Sequence, residues 1–230
     1  MRLTDRPGPA LGAGALIALV MSCAAAAQTA RTPPVFRCEG PFGPAGTHAD
    51  IIKAFPAYAV EEKITGAEGE TFEATVLYPK DPARRLEITW ADPKTKRRPI
   101  IRITGQSAWA TPNGVRLGMP LAEIERLNGR PFRLYGFEWD YGGRVASWQG
   151  GALGKPLPGG CTLSLSLGID DKAPRALLDE VIGDKKYFST NPGMRALAPA
   201  VYEITLGYGP REGARRTSVA RPWIASLRSQ

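Results

Sequence analysis

Polar and apolar positions alternate along the first half of the chain in short stretches. Thr71–Tyr78 and Arg85–Trp90 alternate clearly, and Pro99–Thr104 is rich in β-branched residues. All three predict strands, with Pro79, Asp81, Pro82, Asp92 and Pro93 supplying the turns between them. Upstream, Thr47–Phe55 predicts a helix. Thr47 can cap it, Asp50 stands where a capping box needs an acid, and Pro56 follows the last turn.

The same order then recurs. Leu121, Ile124 and Leu127 fall at helical spacing within Gly118–Gly129, with Pro120 suited to a first turn and Asn128-Gly129 to a left-handed stop. Strands are expected over Pro131–Tyr141, Arg144–Gln149 and Cys161–Leu167. A third helix is expected over Pro174–Gly183 and a last strand over Val201–Tyr208. Superposing the two helices pairs Ala49 with Ala122, Asp50 with Glu123, Ile51 with Ile124 and Lys53 with Arg126. The reading is an α+β fold of two tandem units, each a helix packed on an antiparallel β-meander. The first unit spans 47–105; the second spans 115–208 and carries the C-terminal helix and strand.

Ahead of these lie an export signal over 1–27 and a Pro- and Gly-rich extended lead-in over 28–46. Arg2 and Arg6 precede an apolar run from Ala10 to Met21, too short to span a bilayer, and Ala25-Ala26-Ala27 suits a signal peptidase. Cys23, after Val20-Met21-Ser22, leaves a lipoprotein site as the minor alternative. The expected location is the periplasm or the secreted space, with an outer-membrane lipoprotein as the alternative. No later stretch has the apolar length of a membrane span.

Cleavage after Ala27 would leave Cys38 and Cys161. In an oxidising compartment they predict one disulfide, and two buried free thiols are the alternative. A single histidine, His48, and no Cys-x-x-Cys argue against zinc, and no cofactor motif is present. His48 reads as a residue of the helix start.

The chain carries a net charge of +8. Much of it lies in a basic tail over 209–230, expected to be disordered, where Arg211, Arg215, Arg216, Arg221 and Arg228 face Glu212 alone. Export argues against nucleic acid and for peripheral contact with anionic lipid or acidic glycan. Lys94, Lys96, Arg97 and Arg98 read as a solvated hairpin turn, and Gly142-Gly143 and Gly150-Gly151 as turns.

The densest candidate segment is Tyr135–Gly143. As a strand it would place Tyr135, Phe137, Trp139 and Tyr141 on one face and Glu138 and Asp140 on the other, the carboxylates about 7 Å apart. Such a pair is within reach of inverting glycosidase geometry, but any alternating acidic strand makes one. No other residue supports catalysis, so a non-enzyme is expected. Trp109, Trp139 and Trp148 crowd the same region, with Tyr135 and Tyr141 between, and exposed members would make a platform for a protein or sugar. Binding residues are therefore expected at Tyr135, Trp139, Tyr141 and Trp148.

Gly118-Met-Pro-Leu-Ala-Glu-Ile124 and Asn128-Gly129-Arg-Pro131 carry a resemblance. With the repeated helix-then-meander order, the chain resembles the β-lactamase inhibitory proteins and small outer-membrane-assembly lipoproteins. Val115–Gly151 also resembles a group of uncharacterised bacterial exported proteins. The resemblance implies helix-and-sheet units that bind other proteins. The expected function is thus an envelope interaction module holding a protein on its sheet faces. The alternative is a glycan-binding or glycan-hydrolysing protein using Trp139, Trp148, Glu138 and Asp140.

Overall fold

A computed structural model of the chain describes residues 33–66 and 69–209. The export signal, Cys23 and the basic tail beyond Gly209 lie outside the described residues. Helix α1 (His48–Ala54) begins as the pattern predicts. The Thr47 hydroxyl accepts from the Asp50 amide at 3.2 Å, and the Asp50 carboxylate accepts from the Thr47 amide at 3.0 Å. Four strands follow: β1 (Ala59–Thr65), β2 (Thr71–Leu77), β3 (Leu86–Asp92) and β4 (Arg97–Thr104). Helix α2 (Leu121–Asn128) ends at Gly129, whose φ of 74° is the left-handed stop expected there, while Pro120 caps the helix from outside. Then come β5 (Arg133–Tyr135), β6 (Val145–Ser147), β7 (Thr162–Gly168), α3 (Arg175–Leu178), β8 (Lys186–Phe188), α4 (Pro192–Leu197) and β9 (Ala200–Gly207).

The chain is α+β, but two separate tandem units are not confirmed. A six-stranded antiparallel sheet runs β1-β2-β3-β4-β9-β7, and a second sheet of three strands runs β6-β5-β8. Strands β9 and β7 come from the second half yet complete the sheet begun by the first, with Ile101 opposite Leu206 and Ile103 opposite Ile204. The reason is edge chemistry. β4 would otherwise leave a row of unpaired amides and carbonyls, and β9 satisfies them.

One face of the large sheet builds the core. Ile88, Ile101, Ile103, Leu165, Ile204 and Leu206 are each no more than 2% exposed. Against them pack Ile51 of α1, Leu121 and Ile124 of α2, Leu134 of β5 and Met194 of α4. Phe36 and Cys38, in the segment expected as an extended lead-in, also enter this core. A disulfide joins Cys38 to Cys161 across 123 positions, with the α-carbons 6.0 Å apart.

The opposite face of the large sheet is different. Ile64, Ala74 and Val76 form their own small cluster with Phe72, to which no described helix contributes. Beside it an ion ladder crosses the strands. Arg85 pairs with Glu62 at 2.9 Å and Glu87 at 3.2 Å; Arg102 pairs with Glu87 at 3.0 Å and Glu203 at 2.6 Å. Burial works against the charge of the Arg102 guanidinium. The carboxylates of Glu203 and Glu87 outweigh it and hold its pKa above the ordinary arginine value.

Five elements depart from the pattern. The strand expected over Pro131–Tyr141 stops at Tyr135. Phe137 instead donates to Val181 O and Gly183 donates to Phe137 O, both at 2.9 Å, and Glu138 turns to a φ of 60° that no strand continues. The helix expected over Pro174–Gly183 is correspondingly only α3, because Val181–Gly183 is recruited to pair with Phe137. β1, β8 and α4 are absent from the sequence reading. β1 is an edge strand with charge at Glu61, Glu62 and Lys63 and one buried residue, so it carries no apolar signal. α4 opens Pro192-Gly193, which reads as a turn until Asn191 is seen capping it through Met194 N at 3.1 Å.

Candidate functional site

β5, β6 and β8 are short, and burial decides which way their side chains point. Leu134 is fully buried, so its neighbours Arg133 and Tyr135 face away from the core. Across the ladder, Arg133 lies opposite Phe188 and Ser147, and Tyr135 opposite Lys186. The small sheet therefore turns Arg133, Tyr135, Ser147, Lys186 and Phe188 outward, and Phe188 is 40% exposed.

The loop from Gly136 to Arg144 folds back beside this face. Gly142 donates to Trp139 O at 2.8 Å and Gly143 to Gly136 O at 3.2 Å, closing a tight turn. Gly143 has a φ of 69°, and a β-carbon there would meet Leu167 O at 1.8 Å, so the loop is pressed against β7 with no room for a side chain. This turn carries Trp139 against two tyrosines. Its ring centroid lies 5.2 Å from Tyr135 at 77° and 5.2 Å from Tyr141 at 63°, both edge-on, and its indole N–H donates to Gly136 O at 3.1 Å. Tyr135, Trp139 and Tyr141 do come together, but through a turn and not through strand alternation.

Trp148 does not join them. It packs on Phe132 with centroids 5.3 Å apart and donates to Leu163 O at 3.4 Å, a core-edge role. Trp109 is likewise tied down, donating to Arg84 O at 2.9 Å. The acidic strand face dissolves as well. Glu138 sits in a bend and pairs with Arg175 at 2.7 Å, while Asp140 lies in the following turn.

Cations surround the aromatic group. Lys186 Nζ stands 5.3 Å from the Tyr135 ring centre, the Arg133 guanidinium 4.3 Å from that of Phe188, and the Arg144 guanidinium 6.0 Å from that of Tyr141. Sequence reasoning missed these cations. Each is an ordinary surface residue in its own stretch; strand pairing brings Arg133 to Phe188 and Lys186 to Tyr135, and the turn brings Arg144 to Tyr141.

On the other side of Trp139 is a cavity of about 410 Å3. Phe137, Trp139 and Tyr202 wall it, with Glu138, Asp170 and Asp171 at its rim. Tyr202 is 52% exposed on β9. Gly168 lets it lie close across β7, since a β-carbon there would meet its ring at 3.1 Å. Burial comes first in raising the Tyr202 pKa above the ordinary tyrosine value, reinforced by the charge of Glu203.

His48 has a more defined place than a helix start implies. Its Nδ1 is 2.8 Å from the Thr75 hydroxyl and its Nε2 is 3.3 Å from the Glu61 carboxylate. The sequence hydroxyl–imidazole–carboxylate resembles a nucleophile with its base, but Thr75 is 1% exposed and no substrate could reach its oxygen. The trio ties α1 to β1 and β2. Glu61 also pairs with Lys96, whose hydrogen bond comes first among the causes that lower the carboxyl pKa. The basic run is thus split: Lys96 serves this cluster, and Arg98 donates to Tyr208 O at 3.2 Å.

Among the described residues no helix is long and apolar enough to cross a membrane, and no three His, Cys, Asp or Glu side chains gather as metal ligands would. Comparison of the chain with protein-family models, curated proteins and solved structures returns no match.

Proposed function

We propose that this protein is an exported, non-enzymatic interaction module of the cell envelope that holds a protein partner on an exposed sheet face. The observation that carries the reading is the convergence of Tyr135, Trp139 and Tyr141 beside the outward face of β6-β5-β8. Clusters of half-buried tyrosine and tryptophan dominate the energy of protein interfaces. They are large, lose few rotamers on binding and pair apolar area with a polar tip. The trio is also held in place, by the Trp139 hydrogen bond and by a loop pressed onto β7. A rigid surface loses less entropy on association. The disulfide suits an oxidising compartment, as the export reading requires.

The test places a photoreactive phenylalanine analogue at Phe188 in the full chain and irradiates the producing cells. A dominant cross-linked protein that disappears when Tyr135 and Trp139 are replaced by Ala is the expected result. Cross-links that persist unchanged in that double variant would remove this face from the function.

A second reading rests on the cavity beside Trp139. Its aromatic walls and the carboxylates of Glu138, Asp170 and Asp171 suit the faces and hydroxyls of a sugar, which supports the glycan alternative. Trp148 and Asp140 take no part in that cleft. Binding of neutral oligosaccharides that is lost in Trp139→Ala and Tyr202→Ala would favour it.

A further inference from the structure

The outward face of the small sheet is not a neutral aromatic platform. Arg133, Arg144 and Lys186 stand over or beside its rings, and none of them forms an ion pair or side-chain hydrogen bond with another described residue. Acids lie close in the chain without neutralising them. Glu138 is taken by Arg175, and Asp140 makes no ion pair with any of the three. Arg133 Nε is moreover the buried side-chain nitrogen that lacks a partner among the described residues. That nitrogen is closed to solvent, so a carboxylate from outside would meet this guanidinium through its terminal nitrogens, over the Phe188 ring.

We infer that this face captures an extended, acidic segment of the protein partner, whose carboxylates pair with Arg133, Arg144 and Lys186. The inference rests on the preceding reading that the face binds a protein, and adds what the partner presents. Two observations favour an acidic peptide over an acidic glycan. The rings a pyranose would stack on are capped by the cations themselves: Lys186 over Tyr135 and Arg133 over Phe188. And β8, which carries Lys186 and Phe188, is an edge strand bonded only to β5; on its outer side Phe188 O accepts from Asn191 N, which leaves the main-chain groups of Lys186 and the Phe188 amide for an added strand. Main-chain hydrogen bonds would supply length and register. Acidic side chains on the outward face of such a strand would meet Lys186 first and then Arg133 one strand further in, and Arg144, beside β6, would take an acid from the part of the segment that crosses the face.

The experiment uses a dye-labelled peptide alternating Glu and Val, titrated with the full chain and followed by fluorescence anisotropy. The Gln–Val peptide and an oligogalacturonate serve as the other arms. The triple variant Arg133→Gln, Arg144→Gln, Lys186→Gln should weaken binding of the Glu–Val peptide by about tenfold or more, since each exposed pair contributes a fraction of that factor. It should also flatten the salt dependence, because partly exposed charge pairs are screened over about 8 Å at physiological ionic strength. These three side chains lie on the surface, and circular dichroism checks that the variant is folded.

Equal binding of the Gln–Val peptide, or tighter binding of the oligogalacturonate, would overturn the inference. So would a Glu–Val affinity unchanged in the triple variant. Repeating the Phe188 cross-link in the triple variant separates the two readings. A partner cross-link that survives neutralisation but not removal of Tyr135 and Trp139 sinks the acidic segment alone, and one that survives both sinks the binding face.

Discussion

Opening the Cys38–Cys161 bond should be the most destabilising change available at a single link. The bond closes a loop of 123 positions, and the chain-entropy relation gives about 16 cal/mol/K, or about 4.9 kcal/mol at 25 °C, as the stability lost when it is cut. That value is a ceiling, because the reduced denatured chain retains some compaction. In Cys38→Ala/Cys161→Ala the two buried sulfurs are lost as well, and both residues are only 1% exposed. Reduction without substitution therefore isolates the loop contribution. For a domain of this size each kcal/mol moves Tm by about 2–4 °C, so reduction should lower it by roughly 10–20 °C. The assay is urea unfolding of the full chain with and without a thiol reductant, read by tryptophan fluorescence. A rise in m on reduction should accompany the loss, since an uncrosslinked denatured chain exposes more surface. A shift below about 1 kcal/mol, with mass spectrometry confirming that the bond was present and then cut, would refute the reasoning. It would mean that the segment around Phe36 and Cys38 contributes little to the cooperative unit.

Further outcomes follow from the same contacts. Gly143→Ala should cost on the order of 3 kcal/mol in urea unfolding, because the new β-carbon would strike Leu167 O at a backbone angle disfavoured for alanine; Gly105→Ala, at a similar φ but with open space, should cost only about 1 kcal/mol. Arg102→Met should lose about 2 kcal/mol at neutral pH by leaving Glu87 and Glu203 facing each other across the ladder, and adding Glu87→Gln should recover part of it. Burial pushes the Tyr208 phenol up to about 12, with its O–H donating to Phe42 O at 2.7 Å and Cys38 O at 3.1 Å. Folding thus favours the protonated form. Its contribution is complete below pH 10 and is lost as pH rises toward 12, so the stability difference between the native chain and Tyr208→Phe should shrink over that interval, and a difference that grows would contradict it.

Much of the secondary structure is legible from local chemistry. The capping box of α1 and the glycine stop of α2 need only residues within one turn, and both appear where the pattern places them. β2, β3, β4, β7 and β9 are long enough for alternation or a β-branched run to mark them. β1 and β8 are not marked, since an edge strand with one buried side chain and a three-residue strand carry little periodic signal. The aromatic cluster was half legible. Tyr135, Trp139 and Tyr141 stand close in sequence and do meet, but through a turn and not through strand alternation, and Trp148 belongs to the core edge.

Composition and spacing by themselves determined the α+β class, the first helix and most strands of the large sheet, and made a Cys38–Cys161 disulfide the expectation, with free thiols as its alternative, once cleavage after Ala27 was assumed. These rest on short-range preferences, and the disulfide expectation on the two cysteines that follow the expected cleavage site. Only the tertiary structure decided which strands share a sheet, because an open edge is satisfied by whichever strand the whole chain can bring to it, and here β9 reached β4. It also decided the candidate site. Competition from Val181–Gly183 for the backbone of Phe137 turned a strand into a loop, and pairing of β5 with β8 set Lys186 and Phe188 beside Tyr135 and Arg133. Such contacts join residues dozens of positions apart, and no local pattern encodes them.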